Sequence, residues 1–164
     1  KKCGEIDNAI ETEKNVIEKL KEYKQSVITE TVTKGLDKSV ELKDSGVKWI
    51  GKIPKHWEVE KLKSLFSFGK GLSITKEDLT ETGISVISYG QIHSKQNTGT
   101  AINDDLIRFV PDIYMTNNKQ SLVNKGDFIF ADTSEDIEGC GNCVFVDKDM
   151  LLFAGYHSII LKNN

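Results

Sequence analysis

The sequence has little of several features that mark particular classes of protein. No stretch approaches the roughly 18 consecutive apolar residues that a membrane-spanning helix needs, and the first residues lack the apolar segment of a signal peptide. Cysteine is scarce, and the three that occur form an odd number without a secretory signal, which fits reduced thiols better than a disulfide framework. These absences predict a cytoplasmic protein without structural disulfides.

Motifs for catalysis are also missing. The chain has no Gly-rich phosphate loop ending in Lys-Ser/Thr, no tetrapeptide of the Asn-Pro-Pro-Tyr kind found in methyltransferases, and no cluster of carboxylates and lysine typical of a nuclease. Arg108 is the single arginine, so bidentate reading of guanine would fall to this residue, to lysines or to amides. The residues therefore give no candidate site for these three kinds of catalysis.

The charge balance varies along the chain. A net charge of -3 argues against a nucleic-acid partner, because a domain that grips phosphates is usually basic. Residues 45–95, however, contain eight lysines against five carboxylates, whereas residues 96–164 contain five basic residues against ten acidic ones. The basic excess of residues 45–95 weakens the objection, and any side that faces nucleic acid is expected there, up to Lys95.

A long amphipathic helix is predicted from Ile6 to about Lys34, where Gly and Pro are absent. At 1.5 Å per residue this helix would be roughly 43 Å long, and Gly35 is a plausible C-cap. An apolar stripe of this length must be buried against a partner. The residues expected at this partner-helix interface are Ile10, Ile17, Leu20, Tyr23 and Val27.

The segment after Gly35 is charged and poor in apolar clusters up to Ser45, as a linker would be. We therefore predict a boundary near residue 40, with a spacer helix in residues 1–40 and a second domain in 41–164. Pro54 fixes a turn between Trp49 and Trp57, and the two rings are expected to pack on the core and set how the domain leaves the helix.

Beyond this junction the pattern becomes strand-like, with short β-branched and aromatic runs bounded by Gly, Asn or Asp. The predicted strands are Ile84–Tyr89, Leu106–Val110, Asp127–Ala131, Cys143–Asp147, and Phe153 with Tyr156–Leu161. Short helices are predicted at Glu60–Leu65 and Lys76–Thr80. The predicted fold class is α+β, a long helix followed by a mixed, strand-rich domain.

Three segments together resemble a known family. They are IEKLKEYKQSVITETVTKGLD leading into SGVKWIGKIPKHWEVEKL, then GDFIFADTSEDIEGCGNCVFVD, then FAGYHSIIL. In this order they resemble the spacer helix and one target recognition domain of the specificity subunit of type I restriction-modification systems. The chain looks like the central helix followed by the second recognition domain, either as a fragment, as a half-length subunit that dimerises, or as an incomplete chain.

This resemblance implies a non-catalytic subunit that reads one half of a split target site in double-stranded DNA. Its helix would pair, as a coiled coil, with a second recognition domain or with another copy. Methyltransferase subunits would dock on the helices and a restriction subunit would complete the assembly. S-adenosylmethionine, ATP and Mg2+ would belong to those partner subunits, with no cofactor in this chain.

The best candidate for DNA contact is the polar segment after the strand that begins at Ile84. It mixes an aromatic ring, an amide, an imidazole, a hydroxyl and a lysine. The residues singled out are Tyr89, Gln91, His93, Ser94 and Lys95. An exposed polar loop without a ligand is the alternative reading.

A second candidate is the acidic segment from Gly126 to Asp136. Its carboxylates could bind magnesium, cap a polar loop, or accept hydrogen bonds from cytosine N4. We select Ser134 and Glu135 as DNA contacts and interpret Asp127 as a turn residue.

Four further residues complete the predicted DNA interface. Lys70 and Lys76 flank a Gly-containing loop suited to phosphate. Tyr156 and His157 lie in the FAGYHS string, where packing or a hydrogen bond at a strand end are the alternatives.

A metal site is not expected. Cys140 and Cys143 have the spacing of half a zinc site, and His157 could lie near them, but a second ligand pair is lacking. An incidental turn explains the spacing better.

Two other functions compete with DNA recognition. One is a coiled-coil oligomerisation adaptor that does not read DNA itself. The acidic final third of the chain would fit this function. The other, weaker one is a stand-alone nuclease or methyltransferase.

Overall fold

The computed structural model describes residues 2–163 and divides the chain into two compact units, Lys1–Val59 and Glu60–Asn164. Residues 41–59, which the sequence interpretation placed in the second domain, therefore group with the helix. The functional boundary near residue 40 stays a prediction.

The first unit consists mainly of α1, Lys2–Lys34, which confirms the long helix. It ends where predicted, because Gly35 adopts a left-handed φ of 77° and its N–H donates to the Thr31 carbonyl at 2.9 Å. No helix within residues 2–163 is long and apolar enough to span a membrane.

A small hairpin follows α1 in the same unit. Strand β1, Leu42–Asp44, pairs antiparallel with β2, Lys52–Pro54. Ile53 and Pro54 are the buried residues of β2. The predicted linker up to Ser45 is thus partly a strand. Its backbone pairs with β2, a partner that the sequence of the linker itself does not indicate.

The two tryptophans behave differently. The Trp57 ring is half-buried and lies 3.5 Å from where a Cβ on Gly35 would stand. Trp49 is 85% exposed, so the prediction that both rings pack on a core is wrong for Trp49. Trp49 lies in the turn between β1 and β2, where its ring faces outwards, and Ile53 of β2 is the buried apolar side chain of the hairpin.

Within the described residues, the second unit contains eight strands together with short helices. Its helices are α2 Leu62–Leu65, α3 Tyr89–Ile92 and α4 Tyr114–Asn117. Its strands are β3 Phe66–Lys70, β4 Ile84–Ile87, β5 Arg108–Val110, β6 Leu122–Val123, β7 Phe128–Ala131, β8 Cys143–Phe145, β9 Leu152–Ala154 and β10 Ser158–Asn163. Single turns of 3-10 helix cover Lys76–Asp78, Asp104–Leu106 and Lys119–Ser121.

These strands form two four-stranded sheets. One is antiparallel with the order β3-β10-β7-β8, and the other has the order β5-β4-β9-β6 with β4 and β9 parallel. The chain as a whole is therefore α+β, as predicted.

The side chains of β9 point alternately towards two apolar clusters in the core of the second unit. Leu152 and Ala154 join an apolar cluster that also contains Ile129 and Ile160 from the antiparallel sheet. Phe153, between them, points to the opposite face and packs with a second cluster around Val86. Because all three residues are fully buried, β9 is the central strand of the unit.

The boundaries of several predicted strands need correction. The predicted strand Ile84–Tyr89 stops at Ile87 and turns into α3, because the Ser88 N–H donates to the Gln91 side-chain oxygen at 3.1 Å and starts a helical turn. Leu106 belongs to a 3-10 turn whose start is capped by the Asn103 side chain. Strands β3 and β6 and helix α4 were not predicted.

Candidate nucleic-acid interface

A polar cleft of about 460 Å³ lies on the second unit, where α3 and the loop after it face the loop after β7. We call it the Tyr89 cleft. Its lining contains six of the predicted DNA contacts, namely Tyr89, His93, Ser94, Lys95, Ser134 and Glu135. It also contains Asn97, Asp136, Glu138, Gly139 and Asn142. Two segments separated by about forty residues were therefore predicted independently and lie together.

The helical turn α3 positions one wall of this cleft. Ile92 is fully buried and anchors the turn, and Asn97 closes the following loop by donating to the carbonyls of Ile92 at 2.7 Å and Cys143 at 2.9 Å. With its apolar end fixed in the core, α3 holds Tyr89 and His93 at the surface one turn apart.

Gln91 lies on the same helical turn but does not line the cleft. Its amide oxygen accepts the Ser88 N–H at the start of α3. Bidentate reading of adenine needs that oxygen as well as the amide nitrogen. A base contact by Gln91 would therefore require the helix cap to open, and this contact stays a prediction.

His93, on one wall of the cleft, forms hydrogen bonds with the segment that makes the other wall. Its Nε2 lies 3.1 Å from the Thr133 carbonyl, and its Nδ1 lies 3.2 Å from Nδ2 of Asn142. A carbonyl only accepts, so Nε2 carries the proton and Nδ1 accepts from the Asn142 amide. The imidazole is thus held in one orientation, as a positioning group between the loops.

The acidic loop has an internal hydrogen-bond network that uses some of its polar groups. The Ser134 hydroxyl donates to the Asp136 carbonyl at 2.7 Å, and the Asp136 carboxylate accepts the Gly139 N–H at 2.6 Å. Glu135 and Glu138 are exposed and have no hydrogen bond or ion pair to any residue in the 2–163 range. The loop therefore presents two available carboxylates to the cleft.

Tyr89 stands among these carboxylates. Desolvation raises the pKa of its hydroxyl, and the negative charges of Glu135, Asp136 and Asp132 raise it further. The ring lies 4.4 Å from the His93 ring, centroid to centroid. The phenol therefore remains a neutral donor and acceptor in a negatively charged part of the surface.

A second cleft, of about 350 Å³, lies between the loop after β3 and the turn before β10. We call it the Lys70 cleft. Its lining includes the predicted contacts Lys70, Tyr156 and His157, with the remainder being Gly71, Leu72, Ser73, Ile74, Thr75, Asp132 and Ser158. Lys76, the next residue along the loop, is exposed in a 3-10 turn and is not part of the lining.

His157 has the single left-handed φ of a non-glycine residue in the described chain, at 52°. Its Nδ1 lies 3.5 Å from an Asp132 carboxylate oxygen. Its ring centroid is 6.1 Å from that of Tyr89 and 6.0 Å from that of Tyr156. The rings of His93, Tyr89, His157 and Tyr156 therefore form a continuous row from one cleft to the other.

Sequence reasoning missed part of the lining of the Tyr89 cleft. Glu138 and Asn142 lie just after the acidic segment that ends at Asp136, and the sequence interpretation gave no role to Glu138 and read the Cys140–Cys143 run, which contains Asn142, as a turn. Asn97 is chiefly a scaffold residue, as its hydrogen bonds show.

The three cysteines form neither a disulfide nor a metal site in the described residues. All three are free thiols, and burial raises the pKa of Cys143. Among residues 2–163 no group of three His, Cys, Asp or Glu side chains is arranged to hold a metal ion.

Comparison with known proteins gives one informative similarity and one negative result. No protein-family model matches the chain. The chain is 25% identical over 163 residues to the type I restriction enzyme MjaVIII specificity subunit of Methanocaldococcus jannaschii, an alignment that covers 98% of this chain and 36% of the relative. The chain thus spans about a third of that protein's length. This distant similarity supports a relationship to specificity subunits of type I restriction enzymes.

Proposed function

We propose that this chain is the DNA-reading part of a type I restriction-modification specificity subunit and that its second unit recognises one half of a split target site. The observation that carries the proposal is the similarity to a specificity subunit over 98% of the chain. The two clefts support it, since together they gather most of the residues that the sequence marked for DNA contact.

The clefts offer the two kinds of contact that sequence-specific binding needs. Lys70 and Ser73 in the Lys70 cleft combine a cation with a hydroxyl donor, which suits phosphate. The Tyr89 cleft combines carboxylates, an amide and a phenol, which suits base edges. Phosphate contacts fix position, and base contacts supply sequence preference.

In this proposal the chain performs no chemistry. Methylation with S-adenosylmethionine and cleavage driven by ATP with Mg2+ are carried by the methyltransferase and restriction subunits. The role of the chain is to deliver them to a chosen sequence.

The helix α1 supplies the assembly surface. The residues predicted to meet a partner helix are exposed in the isolated chain, from 42% for Val27 to 69% for Tyr23. Ile10, Ile17 and Leu20 lie between these limits. At steps of three and four residues they form one apolar stripe, which we propose packs antiparallel against a second helix of the same kind.

Changing Leu20 to Glu should weaken this helix pairing at least tenfold, because an unpaired charge would be buried in the stripe. Asn15→Glu is the matched control, since Asn15 is exposed and, five residues before Leu20, places the same charge about 140° round the helix, away from the stripe. Sedimentation equilibrium of the full chain measures the association. Equal weakening by both variants, or a wild-type chain that stays monomeric at the highest soluble concentration, would contradict pairing between copies.

Selection from a randomised duplex library tests DNA reading directly. The full chain, alone and mixed with type I methyltransferase subunits, should enrich one short half-site. If neither preparation enriches any sequence, the proposal fails.

Replacing Lys70 and Lys76 with alanine should weaken binding to the enriched duplex and to an unrelated duplex alike. Each lost phosphate contact also reduces the slope of log K against log salt by about 0.9. Lys119→Ala together with Lys125→Ala provides an equal change of charge elsewhere on the second unit, outside both clefts. A salt slope that both double variants reduce equally would show that the Lys70 cleft has no special part in binding.

A second candidate is an oligomerisation adaptor that binds no DNA. The exposed stripe of α1 and the carboxylates of the Tyr89 cleft favour it. Self-association without enrichment of any duplex would support this function over DNA recognition.

A further inference from the structure

We infer that Glu135 reads the exocyclic amino group of a base, with cytosine preferred over adenine, while the adjacent Lys70 cleft holds the phosphate backbone. The inference rests on the proposed DNA-reading function and names the chemistry of that site. It assigns different parts of the nucleic acid to the two clefts.

The first step is the charge of the Tyr89 cleft. Glu135, Asp136 and Glu138 outnumber its lysine, Lys95. A phosphate in this cleft would be repelled, because like charges at close range are unfavourable even near the surface. A group that presents N–H donors is attracted instead. Among the edges of DNA bases, such donors in the major groove are cytosine N4 and adenine N6.

The second step is the choice of carboxylate. Asp136 already accepts the Gly139 N–H inside the loop, so its use would disturb the loop. Glu135 and Glu138 have no partner in the part of the chain that the structure describes. Of the two, Glu135 directly follows Ser134 in the lining that faces the half-buried Tyr89 ring, and its negative charge contributes to the raised pKa of the Tyr89 hydroxyl. A base edge at Glu135 would therefore also meet the phenol.

The third step separates cytosine from adenine. An ionised carboxylate accepts hydrogen bonds and donates none. Adenine presents the N7 acceptor next to its amino group, so a carboxylate that approaches N6 faces a lone pair. Cytosine has no acceptor beside its amino group on its own ring, where C5–H takes the place of the adenine N7, and the nearest acceptor is O6 of the paired guanine on the other side. Glu135 therefore favours cytosine, whereas a glutamine at this position, with an N–H donor beside its oxygen, suits adenine.

The fourth step connects the clefts. Lys70 lies at the end of β3, and His157 lies in the same cleft, in contact with Tyr89 through the aromatic row. Asp132 sits beside His157, so the cationic character comes from Lys70 and the nearby Lys76. A phosphate held there would place the neighbouring base pair alongside Tyr89 and Glu135, since the row of rings joins the two sites directly.

The test is a comparison of the full chain with Glu135→Gln in selections from the same randomised duplex library. The wild-type chain is expected to enrich a half-site that contains cytosine at one position. Glu135→Gln should keep the other positions and shift that one towards adenine, with about a tenfold change in the ratio of the two bases. Glu135 is exposed and unpaired among residues 2–163, so the variant should fold, and thermal unfolding checks this.

Glu81→Gln is the control, because it removes the same charge from an exposed position of the second unit outside both clefts. Its selected half-site should equal that of the wild-type chain. If the wild-type chain enriches a half-site and Glu135→Gln enriches the identical one, the inference is wrong and DNA recognition stands. If Glu135→Gln merely raises affinity for all duplexes as much as Glu81→Gln does, Glu135 acts as a general charge and the inference is likewise wrong. Absence of enrichment by the wild-type chain would overturn the proposed function itself.

Discussion

Replacing Gly71 with alanine will lower the free energy of unfolding by about 3 kcal/mol or more, towards the upper end of the cost of overpacking. A Cβ at this position would stand 1.9 Å from the Gly155 carbonyl oxygen and 2.3 Å from the Ser158 hydroxyl. The backbone cannot retreat easily, because the Gly71 N–H donates to the Ser158 carbonyl at 3.1 Å. Urea unfolding measures the loss.

Gly69→Ala, two residues earlier and within β3, is the matched control. Its Cβ would meet Ile160 at 3.5 Å, an ordinary van der Waals distance. Because alanine also restricts the unfolded chain, this change should be neutral or stabilising by up to about 1 kcal/mol. An equal loss of stability from both substitutions would show that the close approach at Gly71 is not the cause.

The close approach of Gly71 to Gly155 and Ser158 also affects the Lys70 cleft. Gly71 lines that cleft, between Lys70 and the fully buried Leu72. The Leu72 N–H donates to the Ala154 carbonyl at 2.8 Å, which binds the end of the loop to the central strand β9. The cleft is therefore built on backbone contacts that only glycine permits, and the orientation of Lys70 depends on them.

Features that depend on neighbouring residues in sequence could be predicted best. The helix α1 follows from its apolar period and ends at Gly35, whose left-handed conformation needs no tertiary contact. Asp127 was interpreted as a turn residue, and its N–H indeed donates to the Asn124 carbonyl at 3.0 Å. In both cases the local chemistry decides the conformation.

Features that depend on pairing across the chain could not be predicted. Strand β6 is two residues long, Leu122–Val123, and exists because it pairs with β9 about thirty residues later. The exposure of Trp49 has the same origin, since the burial of Ile53 in the hairpin decides which side chain faces inwards. A tryptophan in the sequence indicates packing only where an interior position remains for it.

The candidate site falls between these cases. Composition alone marked Tyr89, His93 and Glu135, but it could not show that the two loops meet. Their meeting follows from the antiparallel sheet and from the hydrogen bonds of His93 to Thr133 and Asn142. Composition also favoured Gln91, whose amide is used in the cap of α3 instead. Residue type suggests a role in contact, and the backbone hydrogen bonds decide which side chains are available for it.

Asp127→Ala should cost about 3 kcal/mol, the second-largest effect expected in the chain. The carboxylate is 3% exposed and accepts the Asn124 N–H at 2.8 Å and the Asn163 N–H at 2.9 Å. Bonds to a charged acceptor contribute about 1.5 to 3 kcal/mol each, and their loss leaves two part-buried donors without a partner. The substitution would free the end of β10 from the turn that begins β7, and urea unfolding should register it with little change in the selected DNA sequence.

Two further substitutions distinguish this network from a general loss of charge. Asp127→Asn keeps one acceptor oxygen and turns the other atom into a donor that faces an N–H, so its loss should be smaller than that of alanine but still above about 1 kcal/mol. Asp149→Ala removes an exposed carboxylate that has no hydrogen bond or ion pair to the rest of residues 2–163, and should change stability by less than about 0.5 kcal/mol. The expected loss of stability is therefore largest for Asp127→Ala, smaller for Asp127→Asn and smallest for Asp149→Ala. This order follows the number of backbone N–H donors that each substitution leaves without an acceptor. If Asp127→Asn proved as stable as the wild-type chain, the second hydrogen bond would contribute nothing, and the estimate for Asp127→Ala would be too large.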